Sequence, residues 1–155
     1  MKKQLYDYDL FPMVFPAGQS VDFSIKPLGA HVLFHGSYQV TIRRFDRQGY
    51  LKNMDETVPC VLSDDGCIRF SYQAESECEH AVFLRRPDRH DTIETFHIYA
   101  LDADLACRYP LRGELHTHTC RSDGAESPAC ICANYRKIGY DFIVVTDHQL
   151  YMHPS

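Results

Sequence analysis

Along residues 6–105, apolar and polar positions alternate in short runs broken by Gly, Pro, Asp and Ser, the pattern of antiparallel strands joined by turns. The alternation predicts strands over Tyr6 to Phe11, Ser20 to Lys26, Ser37 to Phe45, Val58 to Leu62, Cys67 to Gln73, His80 to Arg85 and Thr95 to Leu101. Side chains two apart share a face of a strand, so Val21, Phe23 and Ile25 fall together, and Tyr38, Val40 and Ile42 oppose Gln39, Thr41 and Arg43. Pro12 and Pro16 bracket Met13-Val14-Phe15; proline has no N–H for a central ladder, so the first strand is expected to break and lie at an edge. Asp46-Arg47-Gln48-Gly49, Ser63-Asp64-Asp65-Gly66 and Pro87-Asp88-Arg89-His90 supply turn residues. With no helical period between these strands, the expectation is a mainly β fold, an immunoglobulin-like antiparallel β-sandwich over residues 1–105.

From Asp102 the composition shifts, and residues 106–112 read as a linker with Pro110 as a rigid exit. The grammar then changes. Leu111 to His118 reads as a strand, Ser127 to Ile138 as a helix and Tyr140 to Thr146 as a fully buried strand of the parallel type. Ser127 is placed to cap the helix, Pro128 to open it, Ile131, Tyr135 and Ile138 to line one face, and Gly139 to stop it. Strand, helix and strand in that order predict a βαβ unit beginning a second domain at residues 113–155.

That second segment holds the candidate chemistry. His116 and His118 stand two apart on one strand and can face one ion, with Thr117 turned away. Ser122-Asp123-Gly124 follows in a loop, where Asp123 offers a hard oxygen ligand and Gly124 a sharp turn. His148 sits at the C-terminal end of the next strand, and in βα architectures those ends share the ligand-binding face. Glu114 and Asp147 neighbour these ligands and are expected to support them from behind. The remaining histidines, His31, His35, His80, His90 and His97, are scattered and read as surface or satisfied polar residues. His153 reads as a tail residue, and Tyr6, Tyr8, Phe11 and Phe15 as packing aromatics.

The run His116-Thr117-His118-Thr119-Cys120-Arg121-Ser122-Asp123-Gly124, then Ser127-Pro128, Gly139-Tyr140-Asp141 and Val144-Val145-Thr146-Asp147-His148, resembles the opening of the polymerase and histidinol phosphatase (PHP) superfamily. The resemblance covers about the last third of the chain. It implies the start of a distorted seven-stranded βα barrel whose mouth holds two or three divalent ions, commonly zinc, manganese or iron. By the same resemblance His116 and His118 are ligands of a first ion, and Asp123 and His148 of a third. The implied activity is hydrolysis of phosphomonoesters or phosphodiesters by metal-activated water. The implied substrate is a small phosphorylated molecule, with nucleotides and oligonucleotides among the candidates. Family members take a bridging glutamate, further histidines and an Asp-x-His from later strands. Ending at Ser155, the chain is therefore expected to be an N-terminal piece of a longer enzyme, with weak metal occupancy and no appreciable activity of its own.

Composition narrows the alternatives. A net charge of −5 with basic residues only in pairs gives no footprint for a large nucleic-acid surface. The lysines at the start are followed by acids and tyrosines, no apolar stretch reaches membrane length, and the expectation is a cytoplasmic protein without a membrane partner. The 7 cysteines form no paired Cys-x-x-Cys sets, which argues against a small structural zinc protein and for reduced thiols. A different class of function is also open, a sandwich acting as a binding or oligomerisation module without catalysis. Ile143, Val144 and Val145 are expected to lack partners on one side of a lone βαβ unit, which makes that surface a candidate for self-association.

Overall fold

The computed structural model describes residues 7–45, 49–52, 54–88 and 91–149; Tyr6, Asp46, Arg47, Gln48, Arg89, His90 and His153, named above, lie outside them. The chain divides into two compact units, residues 1–108 and 109–155.

The first unit is built from antiparallel sheets. Strands β1 (Tyr8–Phe11), β3 (Ser20–Pro27), β7 (Ile68–Gln73) and β6 (Cys60–Leu62) form one sheet in the order β1-β3-β7-β6. Strands β2 (Val14–Pro16), β9 (Thr92–Leu101), β8 (Cys78–Arg85), β4 (Gln39–Arg44) and β5 (Glu56–Val58) form the other, in the order β2-β9-β8-β4-β5. All neighbours are antiparallel except β2 on β9. Alternation does what it predicts: Phe23 and Ile25 of β3, Ile68 and Phe70 of β7, Ile42 of β4, Leu84 of β8 and Ile98 of β9 enter one shared core. Phe15 meets Phe23 edge-on at 5.1 Å, and Phe23 stacks on Phe70 at 5.1 Å.

Prolines decide where the chain changes sheet. The first strand ends before Pro12, and Val14 to Pro16 then run along the edge of the opposite sheet, with Phe15 fully in the core. Val58 to Leu62, expected as one strand, is two. Val58 pairs with Val40 in the five-stranded sheet, Cys60 with Phe70 in the four-stranded one, and Pro59 stands between them without a ladder donor. The stretch after Asp102 is also more ordered than its composition suggested. Ala103–Ala106 make a helical turn, α1, whose Leu105 and Ala106 amides donate to the Asp102 carbonyl.

In the second unit β10 (Gly113–Thr117), helix α2 (Pro128–Lys137) and β11 (Phe142–Val145) follow one another, and β10 and β11 pair in parallel. The Ser127 hydroxyl accepts from the Cys130 amide at 3.3 Å, Pro128 opens the helix, Ile131 is its buried anchor, and Gly139 closes it at φ +84°. Gly113 faces Phe142 across the pair; a Cβ there would lie 1.9 Å from the Phe142 ring, so the ring rests on bare backbone. β11 is not the fully buried strand its unbroken apolar run suggested. Phe142 is 41% exposed and Val144 and Val145 40% each, because a two-stranded sheet gives each strand only one neighbour.

Candidate metal centre

Parallel pairing brings the C-terminal ends of β10 and β11 side by side. The Thr146 amide donates to the Thr117 carbonyl at 2.8 Å, and the Thr117 amide to the Thr146 hydroxyl at 3.2 Å. Thr117 is buried, turned away from the histidines on either side of it. Just beyond this junction lie His118, the Ser122-Asp123-Gly124 turn and His148. Ligand atoms of His118, Asp123 and His148 all fall within 4.8 Å of one another.

Asp123 spans the two imidazoles. One carboxylate oxygen is 2.6 Å from His118 Nδ1 and the other 3.5 Å from His148 Nε2. The His118 and His148 rings meet edge-on at 4.4 Å. His116 adjoins the group, its ring 4.6 Å from that of His118 and its Nδ1 2.9 Å from the Thr146 hydroxyl. The structure thus gathers His118 with Asp123 and His148, whereas the resemblance distributes the four residues as two pairs. Partial burial raises the Asp123 carboxyl, but the His118 hydrogen bond and the charges of His118 and His148 bring it below its ordinary value.

The two supporting acids act differently. Glu114 accepts from the His116 amide at 3.1 Å, within its own strand. Asp147 ties the site together: it accepts from the Thr119 amide and hydroxyl, both at 2.6 Å, and from the Ser122 hydroxyl at 2.7 Å. The Thr119 hydrogen bond, with those from the Thr119 amide and Ser122, holds the Asp147 carboxyl below its ordinary range against partial desolvation. Gly124 is needed for room and not for a positive φ. A Cβ on it would lie 2.3 Å from the His118 carbonyl oxygen, so only glycine lets the turn fold back against β10.

The donor set fits a divalent cation. Two imidazoles and a carboxylate suit zinc, manganese or iron. Ligands around a tetrahedral ion stand roughly 3.4 Å apart; here one candidate atom from each of the three residues lies within 4.8 Å of the others, with His118 Nδ1 hydrogen-bonded to Asp123 at 2.6 Å. His118 Nε2 is buried with no hydrogen-bond partner among the described residues, a lone pair or N–H that folding has left unmatched.

Sequence reasoning did not single out Thr119 or Thr146 as parts of the site. Thr119 continues the alternation that buries Thr117, which was a usable signal; the Thr146 contact to His116 depends on strand register and was not visible. Elsewhere His31 meets Asp7 and His97 meets Glu79 at the surface, but His80 departs from the surface-or-satisfied expectation: it is 2% exposed with Nδ1 unpartnered among the described residues. In the first unit, a groove of about 610 Å³ runs over β1, β3, β6 and β7, lined by Phe11, Asp22, Val61, Arg69 and Ser71. All 7 cysteines carry free thiols. Among the described residues no helix is long and apolar enough to cross a membrane.

No family model matches the chain, and no curated protein matches it. Among solved structures, the crystal structure of the Lin-41 filamin domain is similar, with a TM-score of 0.41 and 9% sequence identity over 61% of this chain and 91% of that one.

Proposed function

We propose that residues 109–155 form part of the metal centre of a PHP-type phosphoesterase, with β10, α2 and β11 as the first βαβ unit of its barrel and the first unit as an immunoglobulin-like accessory domain. The observation that carries this reading is the convergence of His118, Asp123 and His148 at the ends of two parallel strands. His118, Asp123 and His148 would hold a zinc, manganese or iron ion, and His116 stands beside them to contribute to a neighbouring position. A divalent ion held there supplies Lewis acidity, lowering the pKa of water and neutralising phosphoryl charge. The residues of the chain orient the ligands. Asp123 aligns both imidazoles, Thr146 fixes the His116 ring, and Asp147 secures the loop carrying Asp123. The substrate class is a small phosphoester, a nucleotide or oligonucleotide included.

Inorganic phosphate is the product of phosphomonoester hydrolysis and carries the phosphoryl oxygens common to both ester classes, which makes it the probe of choice. Because metal occupancy of this chain is expected to be weak, phosphate is titrated at saturating zinc or manganese, where it is expected to bind, and binding is expected to vanish without metal or in His118→Ala. Loaded protein that ignores phosphate would contradict the phosphoesterase reading.

The alternative reading, a binding or oligomerisation module, draws support from the groove on the first unit, where exposed Phe11 and Val61 flank Asp22 and Arg69. Sedimentation of the whole chain across a concentration series tests its oligomerisation branch: self-association that survives His118→Ala favours the module.

A further inference from the structure

We propose that Thr119 is a positioning residue for the metal centre, setting the separation of His118 and His148 through its clasp on Asp147. The inference rests on the reading of His118, Asp123 and His148 as metal ligands. Thr119 follows His118 directly, and Asp147 directly precedes His148, so the two ligands are each one residue from a single hydrogen-bonded joint. Its amide reaches one Asp147 oxygen and its hydroxyl the other, both at 2.6 Å, a two-point attachment that fixes direction as well as distance.

Every polar atom of Thr119 is engaged. The hydroxyl also accepts from the Arg121 amide at 3.2 Å, and the carbonyl accepts from the Ser122 and Gly124 amides at 2.9 and 3.0 Å. These bonds shape the turn that presents Asp123 to His118. The residue is completely buried, so a valine methyl would occupy the place of its hydroxyl, and that Asp147 oxygen would lose this donor. Ser122 repeats the device from the turn itself, its hydroxyl donating to Asp147 at 2.7 Å with an Asp123 oxygen also within reach at 3.2 Å. One carboxylate thus holds the strand end, the turn and the next strand in register.

The test uses the full chain titrated with Co²⁺, whose d–d absorption reports both affinity and ligand geometry, with circular dichroism on each metal-free variant. Thr119→Val keeps the shape and removes the hydroxyl. It is expected to weaken cobalt binding by about 10- to 100-fold, the usual effect of removing a group that orients a ligand, and to alter the d–d envelope. Thr119→Ser, which restores the hydroxyl, is expected to recover wild-type binding. If Thr119→Val unfolds the second unit, Ser122→Ala removes one outer donor to Asp147 and is expected to lower affinity in the same direction. Wild-type affinity and spectrum in the folded Thr119→Val, or in Ser122→Ala if that variant must stand in, would overturn the inference provided His118→Ala abolishes binding. Binding that survives His118→Ala would instead overturn the metal centre itself, and the positioning role with it.

Discussion

One oxygen of Asp123 lies 2.6 Å from Nδ1 of His118, and the other faces His148 at 3.5 Å. A single carboxylate thereby aligns two imidazoles contributed by different strands. Asp123→Asn preserves the shape but removes the charge that a divalent cation needs. It is expected to weaken zinc and manganese binding while leaving metal-free stability little changed, because the Asp123 carboxylate is half exposed to solvent. Calorimetric metal titration beside urea unfolding separates the two effects.

Gly113 and Gly124 are both constrained by space. Adding a methyl at Gly113 drives Cβ into the Phe142 ring, and Gly113→Ala is expected to cost about 1–3 kcal/mol as the ring is displaced. Chemical denaturation followed by hydrogen exchange at the β10 and β11 amides reads the second unit. Gly113→Ala unfolding at the wild-type midpoint would mean that the ring relocates freely.

Phe23 lies between Phe15 and Phe70 and is 1% exposed. Phe23→Ala opens a cavity at the meeting of the two sheets and is expected to destabilise the first unit by about 3–5 kcal/mol. The check is the shift in its denaturation midpoint; metal binding at the second unit supplies an internal reference.

His80 makes the first unit sensitive to acid. Burial beside Phe15 and Tyr72 lowers its pKa from the ordinary 6.5, and the Arg44 charge lowers it further, whereas the Cys78 backbone and Glu79 oppose the shift. Because the unfolded chain takes up the proton more readily, the neutral ring contributes its full stability above pH 6.5, and that contribution is lost as pH falls towards the folded-state pKa. His80→Leu removes the group and is expected to flatten this limb of the stability profile. Thermal unfolding of both proteins between pH 7 and about 5 measures the difference; identical slopes would show that His80 does not titrate on unfolding.

The parts of the structure legible in the sequence are those written in local pattern. Alternation at Phe23 and Ile25 marked a core-facing strand, and Ser127, Pro128 and Gly139 marked both ends of α2 because capping and chain reversal are local chemistry. Pro59 was also visible, yet its consequence was not: a proline between two apolar runs interrupts a strand, but the run alone does not tell which sheet receives each half. The apolar text of Phe142 to Val145 suggested complete burial, whereas exposure depends on how many neighbours the sheet supplies.

For the site, spacing announced His116, His118, Asp123 and His148. Their grouping was set by tertiary closure, through the Thr117 to Thr146 pairing and the fold of the turn at Gly124 against the His118 carbonyl. Thr119 was not singled out because its partner lies 28 residues away.

The most direct measurement is X-ray absorption at the zinc edge on the zinc-loaded full chain. The account predicts nitrogen and oxygen neighbours only, with outer scattering from at least two imidazoles and one fewer in His118→Ala. A sulfur neighbour at about 2.3 Å, or no imidazole scattering at all, would contradict it.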